Sequence, residues 1–210
     1  MRGRAFSIWT AAVDLVALGC LTLLLCLPVL TICPAVTALY YSVAKSLRRG
    51  RGGPYREYFR SFRENLVQGL ALSVILALFC AAGFFAATYV VNEPLSKAVD
   101  FFYRATFVFT CLVVFIILAL ACPVLSRFRL KTAQVLLFAL RLLVRFPLRT
   151  LGLLALWAAL VCGCWFFPPL LLIAPGLGTL LASYLIEPSL KHYMPDRSQF
   201  DEGTDTWYLE

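Results

Sequence analysis

Residues 27–65 read LPVLTICPAVTALYYSVAKSLRRGRGGPYREYFRSFREN, and this stretch decides how the chain folds. Pro28 and Pro34 interrupt an apolar run, and dense positive charge follows it. A proline inside a helix costs about 3 kcal/mol, so the run should turn rather than continue as one helix. Lys and Arg clustered beside apolar segments are typical of cytoplasmic loops. The stretch therefore predicts a chain that turns within a bilayer and leaves it on the cytoplasmic side.

Composition supports a membrane protein. Hydrophobic residues make up 61% of the 210 residues and charged residues 14%, and the mean hydropathy is +0.84. Soluble domains carry about 25% charged residues. The net charge is +8, and the Lys and Arg residues cluster between apolar runs rather than along one polar domain. This distribution is typical of membrane topology signals and does not favour a nucleic-acid partner. We expect an all-α, polytopic helical membrane bundle with five to six membrane segments plus amphipathic interfacial helices. Residues 1–188 form this domain and residues 189–210 a polar cytoplasmic tail.

The first apolar region is too long for one crossing. We predict a helix over about residues 8–27, a structural turn at Pro28, Thr31 and Pro34, and a shorter arm over residues 35–47. Whether the arm crosses the bilayer decides between five and six segments. The positive charges predict cytoplasmic termini, with the Pro28–Pro34 turn and residues 92–100 near the outer face. Further spans are predicted at residues 66–91, at residues 105–125 and in a hairpin over residues 151–186.

Two segments have amphipathic helical patterns. Residues 55–66 combine an aromatic stripe with arginines, and either an interfacial helix or a helix packed on the protein's own bundle fits this pattern. Residues 130–146 combine a wide apolar face with a narrow basic stripe, which favours an interfacial or bundle-packed helix over a span. We predict that they form a surface for a protein partner or for anionic lipids. Its residues are Arg56, Tyr58, Phe59, Arg60, Phe62, Arg63, Arg141 and Arg145.

Catalytic chemistry is not evident in the sequence. The eight cysteines lie in apolar runs or in the proline turn, without a Cys-x-x-Cys pair, and His192 is the sole histidine. Small buried filler is therefore favoured over a disulfide framework or a metal site. No nucleophile constellation, phosphate-binding loop or paired carboxylates appears. The sequence predicts neither an enzyme nor a bound metal or cofactor.

Asp14 is the one acidic residue inside the first apolar run, and it also argues against a cleaved signal peptide. Pairing with Arg4 and a proton or ion site are both open interpretations. A small solute transporter is the alternative to an accessory or partner-binding membrane protein. A transporter needs polar groups along its path. The candidates are Asp14, Thr22, Thr31, Thr37, Thr88, Thr110 and Thr179.

Several motifs together resemble the YesL family of bacterial membrane proteins. They are residues 27–34 (LPVLTICP), residues 35–40 (AVTALY), Lys45, the pattern Phe59-x-x-Phe62-Arg63-x-Asn65, and residues 145–148 (RFPL). The family usually has glycine where Cys33 stands. The resemblance spans nearly the whole chain and implies a multi-pass protein of a Gram-positive-type bacterial plasma membrane. The family has no established biochemical activity, and its members are often encoded beside carbohydrate uptake genes. The resemblance thus implies an accessory role in sugar import, with carbohydrate ABC permease components as partners.

Overall fold

The computed structural model describes residues 2–91, 97–128 and 130–193. Within these ranges the chain is helical and contains no strand, which confirms the all-α prediction. A 3-10 turn, Val29–Thr31, precedes α2, and a π-helical segment, Val43–Leu47, follows it. The helices are α1 Arg2–Leu25, α2 Ile32–Ser42, α3 Pro54–Glu64, α4 Leu66–Val91, α5 Lys97–Arg127, α6 Thr132–Arg145, α7 Pro147–Phe166 and α8 Leu170–Lys191.

Four helices contain segments that are long and apolar enough to cross a bilayer, and α1 contains a shorter apolar segment, Trp9–Leu25. A span needs about 20 residues. Many large apolar side chains on these helices are exposed, as expected for surfaces that face lipid. The protein is therefore a multi-pass helical membrane protein. The four segments are Leu66–Thr88, Phe101–Arg127, Pro147–Phe166 and Leu170–Leu190.

One end of the bundle is rich in charge. The backbone N–H of Cys33 donates to the Ser73 hydroxyl of α4 at 3.1 Å, and its sulfur lies 3.7 Å from that of Cys122 in α5. The start of α4 and the end of α5 therefore lie at the same end of the bundle. Arg127 closes α5 there and pairs with Glu187 near the end of α8. We call this the charged end.

The Pro28–Pro34 turn does not lie at the end of α4 that leads to residues 92–100, as the predicted topology requires. Pro34 packs so tightly on Gly69, the fourth residue of α4, that a Cβ atom at Gly69 would lie 2.8 Å from the proline ring. The turn therefore leads into α2 in the half of the bundle that carries the charged end. Residues 32–47 would extend only about 24 Å as an α-helix, less than the roughly 30 Å hydrocarbon core. A straight α-helical arm of this length is shorter than a full crossing, and contacts between helices set its position in the bundle.

Glycines allow α8 to approach its neighbours closely. A Cβ atom at Gly176 would lie 2.5 Å from the Leu15 carbonyl oxygen of α1, and one at Gly19 would lie 2.9 Å from the Leu172 carbonyl oxygen of α8. Gly178 similarly packs against Trp157 of α7. Small residues at such contacts let helix backbones approach, which is a common basis of packing in membranes. α8 is therefore held between α1 and α7, with Glu187 at its charged end.

Candidate functional site: a buried ion cluster and an exposed basic surface

Glu187 is the centre of a buried ion cluster. Its side chain is 4% exposed and accepts a hydrogen bond from Arg49 at 2.7 Å. Arg48 lies 3.4 Å from the same carboxylate, and Arg127 donates to its other oxygen. A carboxylate is buried at tolerable cost only when it is paired and hydrogen-bonded. The cluster therefore ties α8 to the end of α5 and to the loop that follows the π-helical segment.

A second buried ion pair holds α3 against the π-helical segment. Lys45 Nζ lies 3.3 Å from Glu57 Oε2, and both side chains are nearly inaccessible. Ser42 also donates a hydrogen bond to the Pro54 carbonyl at 2.6 Å. Because a π-helical turn holds more residues than an α-helical turn, it changes the directions in which the following side chains point. We infer that this local geometry helps to send Lys45 toward α3 and Arg49 toward α8.

Aromatic rings border the ion cluster. The Arg48 guanidinium stacks 4.2 Å from the Tyr184 ring centroid and donates to the Ser183 carbonyl at 3.1 Å. The Arg127 guanidinium lies 5.9 Å from the ring of buried Tyr40. Burial raises the pKa of Tyr40 and lowers the pKa of Arg49, while Glu187 acts on Arg49 in the opposite direction. Tyr40 thus stays neutral at physiological pH. The ion cluster has a structural role, because it links α8 to α5 and to the loop after the π-helical segment.

The predicted surface on α3 is exposed in part. Arg56, Arg60 and Arg63 are exposed, as is 45% of Phe59. Phe62 is half-buried and packs on the α1–α2 core. The side of α3 that carries Phe62 therefore packs on the protein's own bundle, whereas the three arginines remain accessible.

Tyr58 corrects the predicted surface, because it is fully buried and cannot contact a partner. Its hydroxyl hydrogen-bonds with that of Thr22 in α1 at 3.1 Å, and burial raises the pKa of Tyr58 to about 12. Tyr58 and Phe59 are adjacent residues and lie about 100° apart around α3, so Tyr58 faces the bundle while Phe59 lies with the arginines. The signal that separates them is the tertiary contact with α1.

The predicted surface on α6 is also accessible. Arg141 and Arg145 are exposed, whereas a neighbouring face of α6 is buried through Val135, Ala139 and Leu142. α6 follows α5 and α3 precedes α4, so both helices lie at the charged end. The structure thus brings the two groups of predicted arginines to one end of the bundle, on separate helices.

The polar groups proposed for a transport path are hydrogen-bonded within the protein. Asp14 accepts a hydrogen bond from the Tyr55 hydroxyl of α3 at 3.0 Å. Its predicted pairing with Arg4 lies outside the side chains that the structure describes. The Thr31 hydroxyl donates to the Pro28 carbonyl within the turn. The remaining candidates donate to the carbonyl four residues earlier in their own segment; they are Thr22, Thr37, Thr88, Thr110 and Thr179.

The cavity beside the turn is mostly apolar. It measures about 150 Å³ and its lining includes Val29, Leu76 and Val114, with Ser73 as the hydroxyl and Cys80 as the thiol. Its lining contains no carboxylate and no histidine. Across residues 2–91, 97–128 and 130–193, no group of three His, Cys, Asp or Glu residues is placed to hold a metal ion. The described cavity thus offers no acid–base pair for catalysis.

Part of the chain matches a known protein family. Residues 9–89 match the family model described as "Protein of unknown function, DUF624". No curated protein and no solved structure matches the chain. The matched region contains the turn, the π-helical segment and the Lys45–Glu57 pair, and it stops before Arg127 and Glu187. Within residues 9–89, the chain is therefore similar to a domain family of unknown function.

Proposed function

We propose that this chain is a membrane accessory protein that binds a partner protein through an exposed basic surface and catalyses no reaction. We define the basic surface as Arg56, Phe59, Arg60 and Arg63 of α3 together with Arg141 and Arg145 of α6. One observation carries the proposal. Lys45, Arg49 and Arg127 form buried ion pairs at the charged end, whereas the five arginines of this surface are exposed.

The exposed set has a regularity that membrane topology does not require. The positive-inside rule needs positive charge near a span but no helical register. Arg56, Phe59, Arg60 and Arg63 are spaced so that they lie along one side of α3. The Arg60–Glu64 ion pair on α3 joins two accessible side chains and contributes little to stability. Arginine and aromatic residues are enriched at protein interfaces.

The transporter alternative has less support. Hydroxyl groups that donate to their own helix backbone satisfy themselves without lining a path. The described contact of Asp14 is a hydrogen bond with the Tyr55 hydroxyl, which links α1 to α3 and involves no second charged side chain. Residues 9–89 match a family without an assigned activity, which favours neither function.

The resemblance to the YesL family supports a more specific version of this proposal. In that version the chain lies in a bacterial plasma membrane with its C-terminus in the cytoplasm. Its partner is a component of a carbohydrate ABC permease, which the accessory protein contacts at the cytoplasmic side. The basic surface lies at the end of the bundle that also holds Lys45, Arg48 and Arg49, as the positive-inside rule requires of a cytoplasmic end.

Co-purification from native membranes tests the proposal. One variant carries Arg56, Arg60 and Arg63 changed to Glu, and a second carries Arg141→Glu with Arg145→Glu. Each should reduce co-purifying protein at least about tenfold, because each places like charges against a complementary partner. Arg104→Glu is the control, since it changes one charge near the start of α5, away from the charged end.

Insertion and expression should remain at wild-type levels in all variants, which separates loss of binding from loss of folding. Unchanged co-purification after reversal of all five arginines would overturn the proposal. An anionic lipid surface would give a different pattern, in which every basic position contributes about 1 kcal/mol and high salt abolishes binding. That pattern would replace the protein partner with the membrane surface.

A further inference from the structure

The last described residues lie against the basic face of α6. Phe138, Arg141 and Arg145 share this face because they are three and four residues apart. The Tyr193 ring packs edge-on against Phe138 at 5.0 Å and lies 5.9 Å from the Arg145 guanidinium. His192 Nε2 is 3.2 Å from Arg145. The chain thus enters residues 194–210 directly from the α6 part of the basic surface.

Residues 194–210 complement this surface in charge. The sequence MPDRSQFDEGTDTWYLE contains five carboxylate side chains and one arginine. α6 contains arginines and no acidic residue, and Lys131 and Arg149 flank it. The acidic side chains of residues 194–210 are Asp196, Asp201, Glu202, Asp205 and Glu210.

Tethering strengthens this complementarity. Three residues span at most about 11 Å, so Asp196 remains within reach of α6 from Tyr193. Arg141 and Arg145 are separated by about 6 Å along the helix. A short covalent connection gives an effective concentration of about a millimolar, which lets weak ion pairs hold a segment in place.

We propose that residues 194–210 bind in cis to the α6 part of the basic surface and compete there with the partner. This inference rests on the proposed function, because it assigns a regulator to the same surface. Displacement of the segment would be required before a partner contacts Arg141 and Arg145. Binding would therefore weaken with salt, and loss of the segment would increase partner binding.

A synthetic peptide of residues 194–210, labelled with fluorescein, tests the inference by anisotropy on purified protein in neutral detergent. Protein ending at Tyr193 should bind the peptide saturably, and the full chain should bind it at least about fivefold more weakly because its own segment competes. Arg141→Glu with Arg145→Glu in the shortened protein should weaken binding at least about fivefold. The matched control is Arg56→Glu with Arg63→Glu, which should change binding less than twofold. A peptide with Asn and Gln in place of its Asp and Glu residues should not bind.

Absence of saturable binding, equal loss in the α3 control, or equal binding of the amide peptide would overturn the inference. If the shortened protein fails to fold, the full chain with Asp196→Asn, Asp201→Asn, Glu202→Gln and Asp205→Asn replaces it, and the same outcomes apply. The proposed function fails separately. A partner that co-purifies through the arginines, together with a peptide that does not bind, rejects only the cis segment.

Discussion

Replacement of Glu187 by Gln should strongly destabilise the bundle. The substitution preserves the shape of the side chain and removes the charge that three arginines share. Removing one partner of a buried ion pair typically costs about 3–5 kcal/mol. The Arg48 side chain is 23% exposed and can turn toward solvent, whereas the Arg127 side chain is 1% exposed and cannot. We therefore expect a loss of about 3–5 kcal/mol, because Arg127 would remain buried without its counter-ion.

The measurement is the free energy of unfolding in mixed micelles, followed by tryptophan fluorescence. Glu64→Gln is the matched control, because Glu64 pairs with Arg60 where both side chains are about half exposed. Such surface pairs contribute about 0–1 kcal/mol. The double variant Glu187→Gln with Arg127→Gln should recover part of the loss, since it no longer buries Arg127 opposite a neutral side chain. A loss below about 1 kcal/mol for Glu187→Gln, equal to that of Glu64→Gln, would refute the view that the cluster joins the helices.

Three further predictions concern packing, pH and the turn. Gly176→Ala should lower the free energy of unfolding by about 1–3 kcal/mol, because its methyl group would lie 2.5 Å from the α1 backbone. Gly152→Ala is the control and should not destabilise the protein, because the nearest atom to its methyl group would be 3.8 Å away. The pKa of Tyr58 is raised to about 12 in the folded protein against about 10 when unfolded, so the free energy of unfolding should fall as pH rises from about 10 to about 12. The Tyr58→Phe variant should lose less of its stability over the same pH range. Pro28→Ala with Pro34→Ala should reduce assembly by favouring one continuous helix; wild-type expression and protease pattern would contradict this.

Helix positions followed closely from the sequence because they depend on local properties. Apolar length alone predicts α4, α5 and the α7–α8 hairpin, and the doubled prolines at Pro168 and Pro169 mark the break that separates α7 from α8. Amphipathic periodicity predicts α3 and α6 for the same reason. The depth of the Pro28–Pro34 turn could not be predicted in this way. It depends on contacts with Gly69 and Cys122, which are distant in sequence.

The ion cluster shows why charge alone could not identify the candidate site. Arg48 and Arg49 belong to a basic run that the positive-inside rule explains fully, so nothing in the run distinguishes a paired arginine from an accessible one. The available signal was Glu187, a lone carboxylate that ends a long uncharged stretch. A carboxylate at the edge of a span requires a partner, and that partner lies 138 residues earlier at Arg49. The buried arginines are explained by their ion pairs with Glu187. The exposed arginines of α3 and α6 are not explained by contacts inside the bundle, and we therefore assign these arginines to partner binding.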